Sequence, residues 1–579
     1  MKKICSKINY AGLAPWVVMI LTALLFIKSI SFEPLRFMDD YNYVFNNPNI
    51  GLSLEQIKTL ITEPVLGLWT PLPMLSFLFD YALAGLDPRI YHLQNLICHL
   101  AAIAAVWGLL RELSFSSWSS FFITLIFAIH PQRVESVVWI AERKDVMTAF
   151  FFFATLYSYV LARKSGRFFS VGSIIFAFCA MLCKPSGAAL PAVIFLLEIY
   201  RNRRWDFKIG LKLWPFWALA LSYMIAVSVM LKTSLSTITL FDYPAETLLL
   251  MLNNYFSYIG KTIVPLELFP LYPYFVVTTF KILMLVLLTI TLIVVILFIA
   301  IKKTEFLKYD LLPFLLIFAG LLLPASGIFT FSNADFADRY SYIPSFFLLV
   351  PIAMWLQKLP LQKIKRLKWG LCGYCCYLFF FSWSYMEFWR NDYAFLQASC
   401  ETPTPNFRAS SCLAWLFFEN GLYDQSLAVI AKSGHGSLQK EHQRSLITLY
   451  QDFFTGIIAY RRNQRETAYQ YLSKAADSPY SGAVDAFSYG AFIEMMEALA
   501  NLELERNNVP KAAHCYLRLA KFCRPVPHLH YYYAGLSSML LENYKEAATA
   551  FQSAIESEPN NPEIRRLLKE ATAKSSASD

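Results

Sequence analysis

The sequence predicts an all-α protein in two parts: a polytopic helical membrane domain over residues 1–390, followed by an α-solenoid of tetratricopeptide-like repeats over residues 391–579. Three observations support this fold class. Of the 579 residues, 56% are apolar and only 16% are charged, which excludes an ordinary soluble globular protein. Apolar segments of spanning length follow one another through the first part. The second part has the composition of a soluble helical domain and carries an internal repeat.

About eleven apolar segments are candidates for membrane-spanning helices, since about 20 apolar residues cross the bilayer core. Lys2, Lys3 and Lys7 precede the first segment, as in a signal peptide, but no small-residue cleavage site follows. We therefore expect an uncleaved first span. The predicted spans are 12–31, 92–111, 117–130, 146–162, 168–183, 187–200, 213–231, 281–301, 311–330, 344–357 and 369–387.

Membrane topology explains the excess of basic residues. The formal net charge is +10, but Lys and Arg cluster at the ends of apolar segments, so nucleic-acid binding is not expected. With a cytoplasmic N-terminus, alternate loops carry basic clusters, which agrees with the positive-inside rule and places the other loops and the C-terminal domain on the outer face. The clusters are Arg163, Lys164 and Arg167; Arg201, Arg203, Arg204 and Lys208; Lys302, Lys303 and Lys308; and Lys363, Lys365, Arg366 and Lys368.

Two adjacent carboxylates, Asp39 and Asp40, follow the first span in "FMDDYNYVFNNPNI". One interpretation is a solvated loop. The other is an active site at the membrane edge, because ionisable residues gathered there are costly unless they pair or serve a site. Adjacent side chains on an extended segment point apart, so we expect one acid to meet a substrate and the other to be structural or bound to a metal.

A second group of ionisable residues lies among apolar residues in "HPQRVESVVWIAERKD". A re-entrant or interfacial amphipathic helix with internal ion pairs would explain the group, because Glu142 and Asp145 are three residues apart around a basic pair. A functional site is the alternative. The residues are His130, Arg133, Glu135, Glu142, Arg143, Lys144 and Asp145.

Two further outer segments carry basic residues suited to phosphate. Lys184 directly follows an apolar run; snorkelling explains most such lysines, but positive charge is disfavoured on the outer side, which favours a phosphate contact. In "ADFADRYSYIPS", Arg339 suits bidentate phosphate recognition and Tyr340 suits the lipid interface. The segment also contains Asp335 and Asp338, and the alternative is an Asp–Arg ion pair that only ties the loop.

The stretch "HYYYAGLSSMLLENYKEAATAFQSAIESEPNNPE" has the spacing of a tetratricopeptide repeat. Small residues lie where two antiparallel helices touch, and large aromatic residues fill the gap to the next repeat. Weaker copies centre on Gly421, Gly456 and Ala512, so we expect about four helical pairs in a concave solenoid that binds an extended peptide or another protein. The repeat positions are Tyr531, Gly535, Tyr544, Ala547, Phe551, Ala554 and Pro559.

The order of these motifs resembles that of the transmembrane and tetratricopeptide-repeat-containing O-mannosyltransferases and their bacterial relatives, of the GT-C glycosyltransferase class. The likeness runs through nearly the whole chain, and HP-x-x-x-ES-V-x-W-x-x-ERKD and ADRY-x-Y-x-P are its specific blocks. The stretches that carry it are "DDYNYVFNNPNI", "WTPLPMLSFLFDYALAGLDPRIYHLQNLICH", "HPQRVESVVWIAERKDVMTAFFFFATLYSY", "CKPSGAALPAVIFLLE", "YFSYIGKTIVPLELFPLYP" and "FADRYSYIPS".

This resemblance implies a polyprenyl-phosphate-linked sugar donor and an acceptor hydroxyl on a Ser or Thr of a protein. It also implies that Asp39 and Asp40 lie in the active site, with Asp39 preferred as the general base. Either acid could instead bind a divalent cation, Mg²⁺ or Mn²⁺, as in some members of the class. The residues expected at the lipid phosphate are Lys184, Arg339, Arg143 and Lys144, and those expected to support them are His130, Glu135, Glu142, Asp145, Asp338 and Tyr340.

Attack from the face opposite the phosphate would invert the anomeric centre. Two other functions fit the same architecture: a transferase of this class that acts on a glycan or lipid, and a non-enzymatic membrane scaffold that displays repeats. A transporter is disfavoured because the two halves of the membrane region show no duplication. The compact loops and the likeness to bacterial relatives favour a bacterial inner membrane, with the catalytic loops and repeats on the periplasmic face.

Overall fold

The computed structural model describes residues 10–231, 244–275, 278–302, 304–328, 335–433, 441–478, 486–524 and 526–578. Within these ranges the chain is helical and has no strand, apart from an isolated bridge between Val65 and Leu68. The predicted all-α class is therefore confirmed. The end of the predicted span 311–330 lies outside the described residues. So do four lysines used in the topology prediction: Lys2, Lys3, Lys7 and Lys303.

The chain divides into two compact units, Met1–Ser399 and Cys400–Asp579. The division comes later than the predicted boundary at residue 390, because the helix Asp392–Cys400 packs on the first unit. Its Phe395 ring contacts Trp389 edge-on, and the Asp392 carboxylate accepts hydrogen bonds from backbone N–H groups of the 33–40 turn.

Six helices of the first unit are long and apolar enough to cross a membrane, as expected of an integral membrane protein. A bent helix pair raises the number to seven if it is one span, and three shorter apolar helices accompany them. The six are Gly12–Ser31, Pro88–Glu112, Ile140–Lys164, Trp214–Leu231, Thr279–Lys302 and Phe306–Ala325; the pair is Ser117–Ile129 with Pro131–Val138; the shorter helices are Pro71–Ala84, Val171–Cys183 and Pro344–Gln357.

The described helices thus do not confirm the predicted number of spans. Helices form at the predicted spans 187–200 and 369–387, as Leu190–Asn202 and Leu361–Tyr385, but neither meets the length and apolarity of a spanning helix. The first of these helices is short, and the second begins with a basic turn. The remaining helices of this unit are Leu54–Thr62, Phe207–Lys212, Pro244–Ile263 and Asp392–Cys400.

The bent pair breaks by 54° at His130 and Pro131. Proline has no N–H to donate and forces the preceding residue into extended backbone, and His130 has ψ of 136°. Three short elements then precede the long helix that begins at Arg143: the turn Pro131–Arg133, the helix Val134–Val138 and the turn Ile140–Glu142. The polar residues of this segment therefore lie on successive turns that face different neighbours, rather than on one amphipathic helix.

The second unit consists of helices that pack consecutively against one another. Two glycines mark close approaches between neighbouring helices: a Cβ at Gly456 would lie 2.7 Å from Leu472, and one at Gly535 would lie 2.5 Å from the ring of Phe551. Assignment of these helices to tetratricopeptide repeats stays a prediction. The helices are Phe407–Glu419, Tyr423–Lys432, Glu441–Arg461, Arg465–Ala476, Ala486–Glu505, Val509–Phe522, Pro527–Leu540, Tyr544–Ser557 and Pro562–Ser578.

Replacing Gly535 by alanine should loosen the packing of the helices Pro527–Leu540 and Tyr544–Ser557. The Phe551 ring is fully buried, so it cannot move aside freely, and overpacking of this kind costs about 1–3 kcal/mol. Hydrogen exchange measured by mass spectrometry on the full chain should be faster in both helices. Gly490→Ala is the matched control, because its Cβ would only touch Trp415 at 3.9 Å; equal exchange in Gly535→Ala and the wild type would contradict the predicted close approach.

Candidate active site

Three polar segments meet in the first unit: the 33–40 turn, the 130–145 segment and the 335–342 turn. The first is joined to the second by the Asp40 carboxylate, whose Oδ1 accepts from the backbone N–H of Ala141 at 2.8 Å. The second is joined to the third by Glu135, whose Oε2 accepts from the backbone N–H of Arg339 at 2.8 Å. Residues far apart in sequence therefore form one group.

The Asp40 side chain is buried and has a structural position. Besides the bond from Ala141, its Oδ2 accepts from the backbone N–H of Leu35 at 2.9 Å. Burial raises the pKa of Asp40 to about 7, an effect that the N–H groups of Leu35 and Ala141 oppose and the neighbouring Asp39 charge increases. Both of its oxygens are thus used to fix the 33–40 turn.

The Asp39 side chain differs from its neighbour in both exposure and bonding. It is half-buried, and among the described residues its carboxylate has no side-chain hydrogen bond or ion pair. Its charge interacts with those of Asp40 and Lys144. Asp40 begins a helical turn, with φ of −57° and ψ of −40°, so the extended backbone expected from the sequence is absent at this residue.

Glu142 joins two cations of the group. Its carboxylate lies 3.0 Å from Nζ of Lys144 and 3.5 Å from Nε of Arg339. Arg339 also forms an ion pair with Glu135, and its Nη2 donates to the hydroxyl of Tyr340 at 3.2 Å. Arg339 is therefore anchored by two carboxylates while its side chain remains 15% exposed.

Lys184 brings a third cation to the same place. It lies between the helix Val171–Cys183 and the turn Pro185–Ala189, in the extended backbone that a following proline requires. Its Nζ forms an ion pair with Asp145 and lies 5.8 Å from the centre of the Tyr340 ring. Its side chain is 20% exposed, against 5% for Lys144, so Lys184 and Arg339 are the more accessible cations of this group.

Arg143, expected at the lipid phosphate, lies elsewhere. Its guanidinium forms an ion pair with Asp80, and donates to Oδ1 of Asn95 at 2.8 Å and to the backbone oxygen of Tyr91 at 2.7 Å. The side chains of Arg143 and Asp80 are completely buried. These contacts use Arg143 to connect three helices, which leaves no exposed surface for a phosphate contact in this conformation.

His130 and Asp338 also have structural contacts. The imidazole Nδ1 of His130 accepts from the backbone N–H of Gln132 at 3.2 Å and begins the turn after the break. Asp338 pairs with neither Arg339 nor any other arginine in the described residues; its carboxylate accepts from the hydroxyls of Tyr272, at 3.0 Å, and Tyr385, at 3.4 Å. Burial raises the pKa of Asp338 to about 6. The alternative interpretation of this segment, an Asp–Arg pair that ties the loop, does not form at Asp338, since Arg339 pairs with Glu135 instead.

Sequence reasoning missed four residues that organise this site. Asp80 was detectable, because an aspartate inside the apolar stretch "PLPMLSFLFDYALA" indicates a buried partner. Asn95 and Tyr272 carry no such local signal. Asp392 was outside the segments considered, since it lies beyond the last predicted span.

The acidic pair does not form a metal-ligand set in this conformation. Both oxygens of Asp40 accept backbone N–H bonds, and no cluster of three or more His, Cys, Asp or Glu side chains suited to a metal ion occurs in the described ranges. Of the two acids, only Asp39 has oxygens without such bonds.

Comparison with known proteins gives one group of relatives. The chain is similar to three curated protein O-mannosyl-transferases: TMTC2 of Homo sapiens, 32% identical over 148 residues; TMTC3 of Homo sapiens, 27% identical over 176 residues; and Tmtc2 of Drosophila melanogaster, 31% identical over 144 residues. These matches cover 24%, 28% and 24% of this chain, and 18%, 19% and 15% of the relatives. No family model matches.

The comparison confirms the resemblance to these transferases and limits its extent. The chain spans less than a fifth of the length of these relatives, and about a quarter of the chain is matched. The likeness measured in this way is therefore narrower than the nearly complete one that the order of motifs predicted.

Exchanging each acid for alanine should separate their roles. Asp40→Ala leaves the buried N–H groups of Leu35 and Ala141 without acceptors, at about 1–3 kcal/mol for each group, so the midpoint of thermal unfolding in detergent should fall by several degrees. Asp39→Ala removes no such bond and should unfold near the wild-type temperature. Equal midpoints for Asp40→Ala and Asp39→Ala would contradict the structural role of Asp40.

Proposed function

We propose that this chain is an integral-membrane glycosyltransferase that moves a sugar from a polyprenyl-phosphate-linked donor to a Ser or Thr hydroxyl of a protein. One observation carries the proposal: the half-buried Asp39 carboxylate, without a side-chain hydrogen bond among the described residues, interacts electrostatically with Lys144. Glu142 joins Lys144 to Arg339, and Lys184 is the third cation of this group. A base and a set of cations are the two components that such a transfer needs. The similarity to protein O-mannosyl-transferases supports the choice of sugar transfer to protein.

The base would act on the acceptor. As the acceptor oxygen forms its bond to the anomeric carbon of the sugar, Asp39 takes the hydroxyl proton. A positioned base of this kind contributes typically about 10²–10⁴-fold to the rate. The charge of Lys144 interacts with that of Asp39, so the base and the cation group are electrostatically connected.

The cations would act on the donor. The bond between the anomeric carbon and the phosphate oxygen breaks, and its electron pair stays on the lipid phosphate. Fixed cations stabilise the charge that appears there without reorganisation. Lys184 and Arg339 suit this role, because both are partly exposed and anchored by buried carboxylates.

Three finer features belong to the proposal. Attack from the face opposite the phosphate inverts the anomeric centre and needs no covalent sugar–enzyme intermediate. The helical C-terminal unit would bind the acceptor protein or a partner, as stacked helix pairs do in repeat proteins. The catalytic loops and that unit would lie on the outer, periplasmic face of a bacterial inner membrane.

Asp39→Asn should abolish transfer while the protein stays folded. Purified protein in detergent is given a radiolabelled polyprenyl-phosphate mannose and an extract of outer-face proteins, and label on protease-sensitive bands is counted. Loss of the base predicts a decrease of about 10²–10⁴-fold. Glu33→Gln, an exposed acid of the same turn, is the matched control and should retain activity.

Other outcomes of this assay identify the alternatives. Label on lipid or glycan alone would indicate a transferase of the same class with another acceptor. Equal transfer by Asp39→Asn would exclude Asp39 as the base. If the folded wild type transfers nothing from a panel of lipid-linked sugars, the result would contradict the proposed enzyme and favour a non-enzymatic membrane scaffold.

Lys184→Gln should lower the rate of transfer more than the binding of the donor. Removing one charge-stabilising donor from an active site costs about 10²–10³-fold in kcat, and Lys184→Arg should retain more activity because the charge remains. Lys164→Gln is the matched control, since Lys164 forms an ion pair with Glu112 at 2.8 Å elsewhere in the unit. An unchanged kcat in Lys184→Gln would remove this lysine from the proposed mechanism.

A further inference from the structure

The turn that precedes Asp39 has its backbone donors fixed partly by acceptors of the 33–40 turn itself and partly by acceptors of the distant 390–392 segment. The N–H of Glu33 donates to the backbone oxygen of Arg390 at 3.0 Å, and that of Leu35 donates to Oδ2 of Asp40 at 2.9 Å. The N–H of Met38 closes the turn on the oxygen of Leu35 at 3.3 Å. Two donors of the turn remain, those of Arg36 and Phe37.

Both of these donors bind a single atom, Oδ1 of Asp392. The distances are 2.9 Å from the N–H of Arg36 and 3.4 Å from that of Phe37. The other oxygen of Asp392 lies 3.9 Å from Nε of Arg36. One carboxylate, 356 residues away in sequence, therefore fixes the middle of the turn.

Asp392 is itself held in a rigid place. It is the first residue of the helix Asp392–Cys400, and the Trp389 ring just before it contacts the Phe395 ring at 5.1 Å and the Trp139 ring at 6.1 Å. Trp139 belongs to the 130–145 segment that also carries Glu142 and Lys144. The same aromatic contacts thus locate Asp392 relative to the cations.

We infer that Asp392 is a positioning residue for Asp39, which it places against the cation group by fixing the N–H groups of Arg36 and Phe37. The inference rests on the proposed function. Asp40 fixes the turn from the side of Ala141, and Asp392 fixes it from the side of the last helix of the unit. Asp39 lies between these two attachments and needs no bond of its own to be held in place.

The physical consequence is a loss of rate rather than of binding. Without Asp392 the turn keeps its attachment through Asp40, so the chain still folds, but Asp39 moves relative to the acceptor. A displacement of about 1 Å can cost about 10²-fold in rate. The donor phosphate, which Lys184 and Arg339 would contact, is not affected by that displacement.

The test compares Asp392→Ala with Asp392→Asn in the full chain. Alanine removes Oδ1, whereas asparagine keeps an oxygen that can accept both N–H bonds and loses only the charge. We expect kcat to fall about 10²-fold in Asp392→Ala, with KM for a polyprenyl-phosphate mannose changed less than about threefold, and substantial recovery of kcat in Asp392→Asn. Asp310→Ala, which breaks an Asp–Arg pair with Arg203, is the matched control and should keep the wild-type kcat.

Hydrogen exchange provides a measurement that does not depend on activity. Peptides that contain residues 33–40 should exchange faster in Asp392→Ala than in the wild type, Asp392→Asn or Asp310→Ala.

Unchanged exchange, or faster exchange with a wild-type kcat, would overturn the positioning role while the proposed transferase stands. An inactive wild type would instead refute the proposed function, and the role of Asp392 with it. A parallel decrease of kcat in Asp392→Asn and Asp392→Ala would also overturn the inference, because it would attribute the effect to charge.

Discussion

Much of the geometry of the candidate site depends on the two backbone hydrogen bonds that the Asp40 carboxylate accepts. One comes from its own turn, at Leu35, and the other from Ala141 in the 130–145 segment. A buried carboxylate is stable only when hydrogen-bond donors satisfy its oxygens, so these bonds hold the two segments in a fixed relative position. Asp39 and the cation group then have a fixed relation, although every cation of the group is more than a hundred residues from Asp39 in sequence.

The charged group obeys a second constraint, which is charge balance. Lys144, Lys184 and Arg339 face the carboxylates of Glu142, Asp145 and Glu135, pair by pair. In surroundings of low polarity, removing one member leaves an uncompensated charge and costs about 3–5 kcal/mol. The three carboxylates therefore compensate the charges of three cations and orient them before any substrate arrives.

The sequence predicted which residues belong to this site better than it predicted which of them bond to one another. Segments 130–145 and 335–342 were recognised because ionisable residues in an apolar chain are rare and costly, and that argument needs no structure. It cannot distinguish Arg143 from Lys144, which are adjacent. The difference arises from the helical turn, which directs Arg143 towards Asp80 and Asn95 and Lys144 towards Glu142.

In the fold as well, local interactions determine some features and interactions between distant residues determine others. Helical character follows from the apolar segments, and local sterics at Pro131 explain the break in the helix pair that the structure shows. The pairing of Arg339 with Glu135 instead of Asp338 depends on two tyrosine hydroxyls, of Tyr272 and Tyr385, which donate to Asp338 from distant parts of the sequence.

In the proposed reaction negative charge passes from Asp39 to the lipid phosphate, and the cations follow that path: Lys144 interacts with Asp39, and Glu142 links Lys144 to Arg339. In that reaction a preformed row of cations would stabilise charge at both ends of the transfer without reorganising, so the fixed positions of the buried pairs are what the proposed chemistry requires.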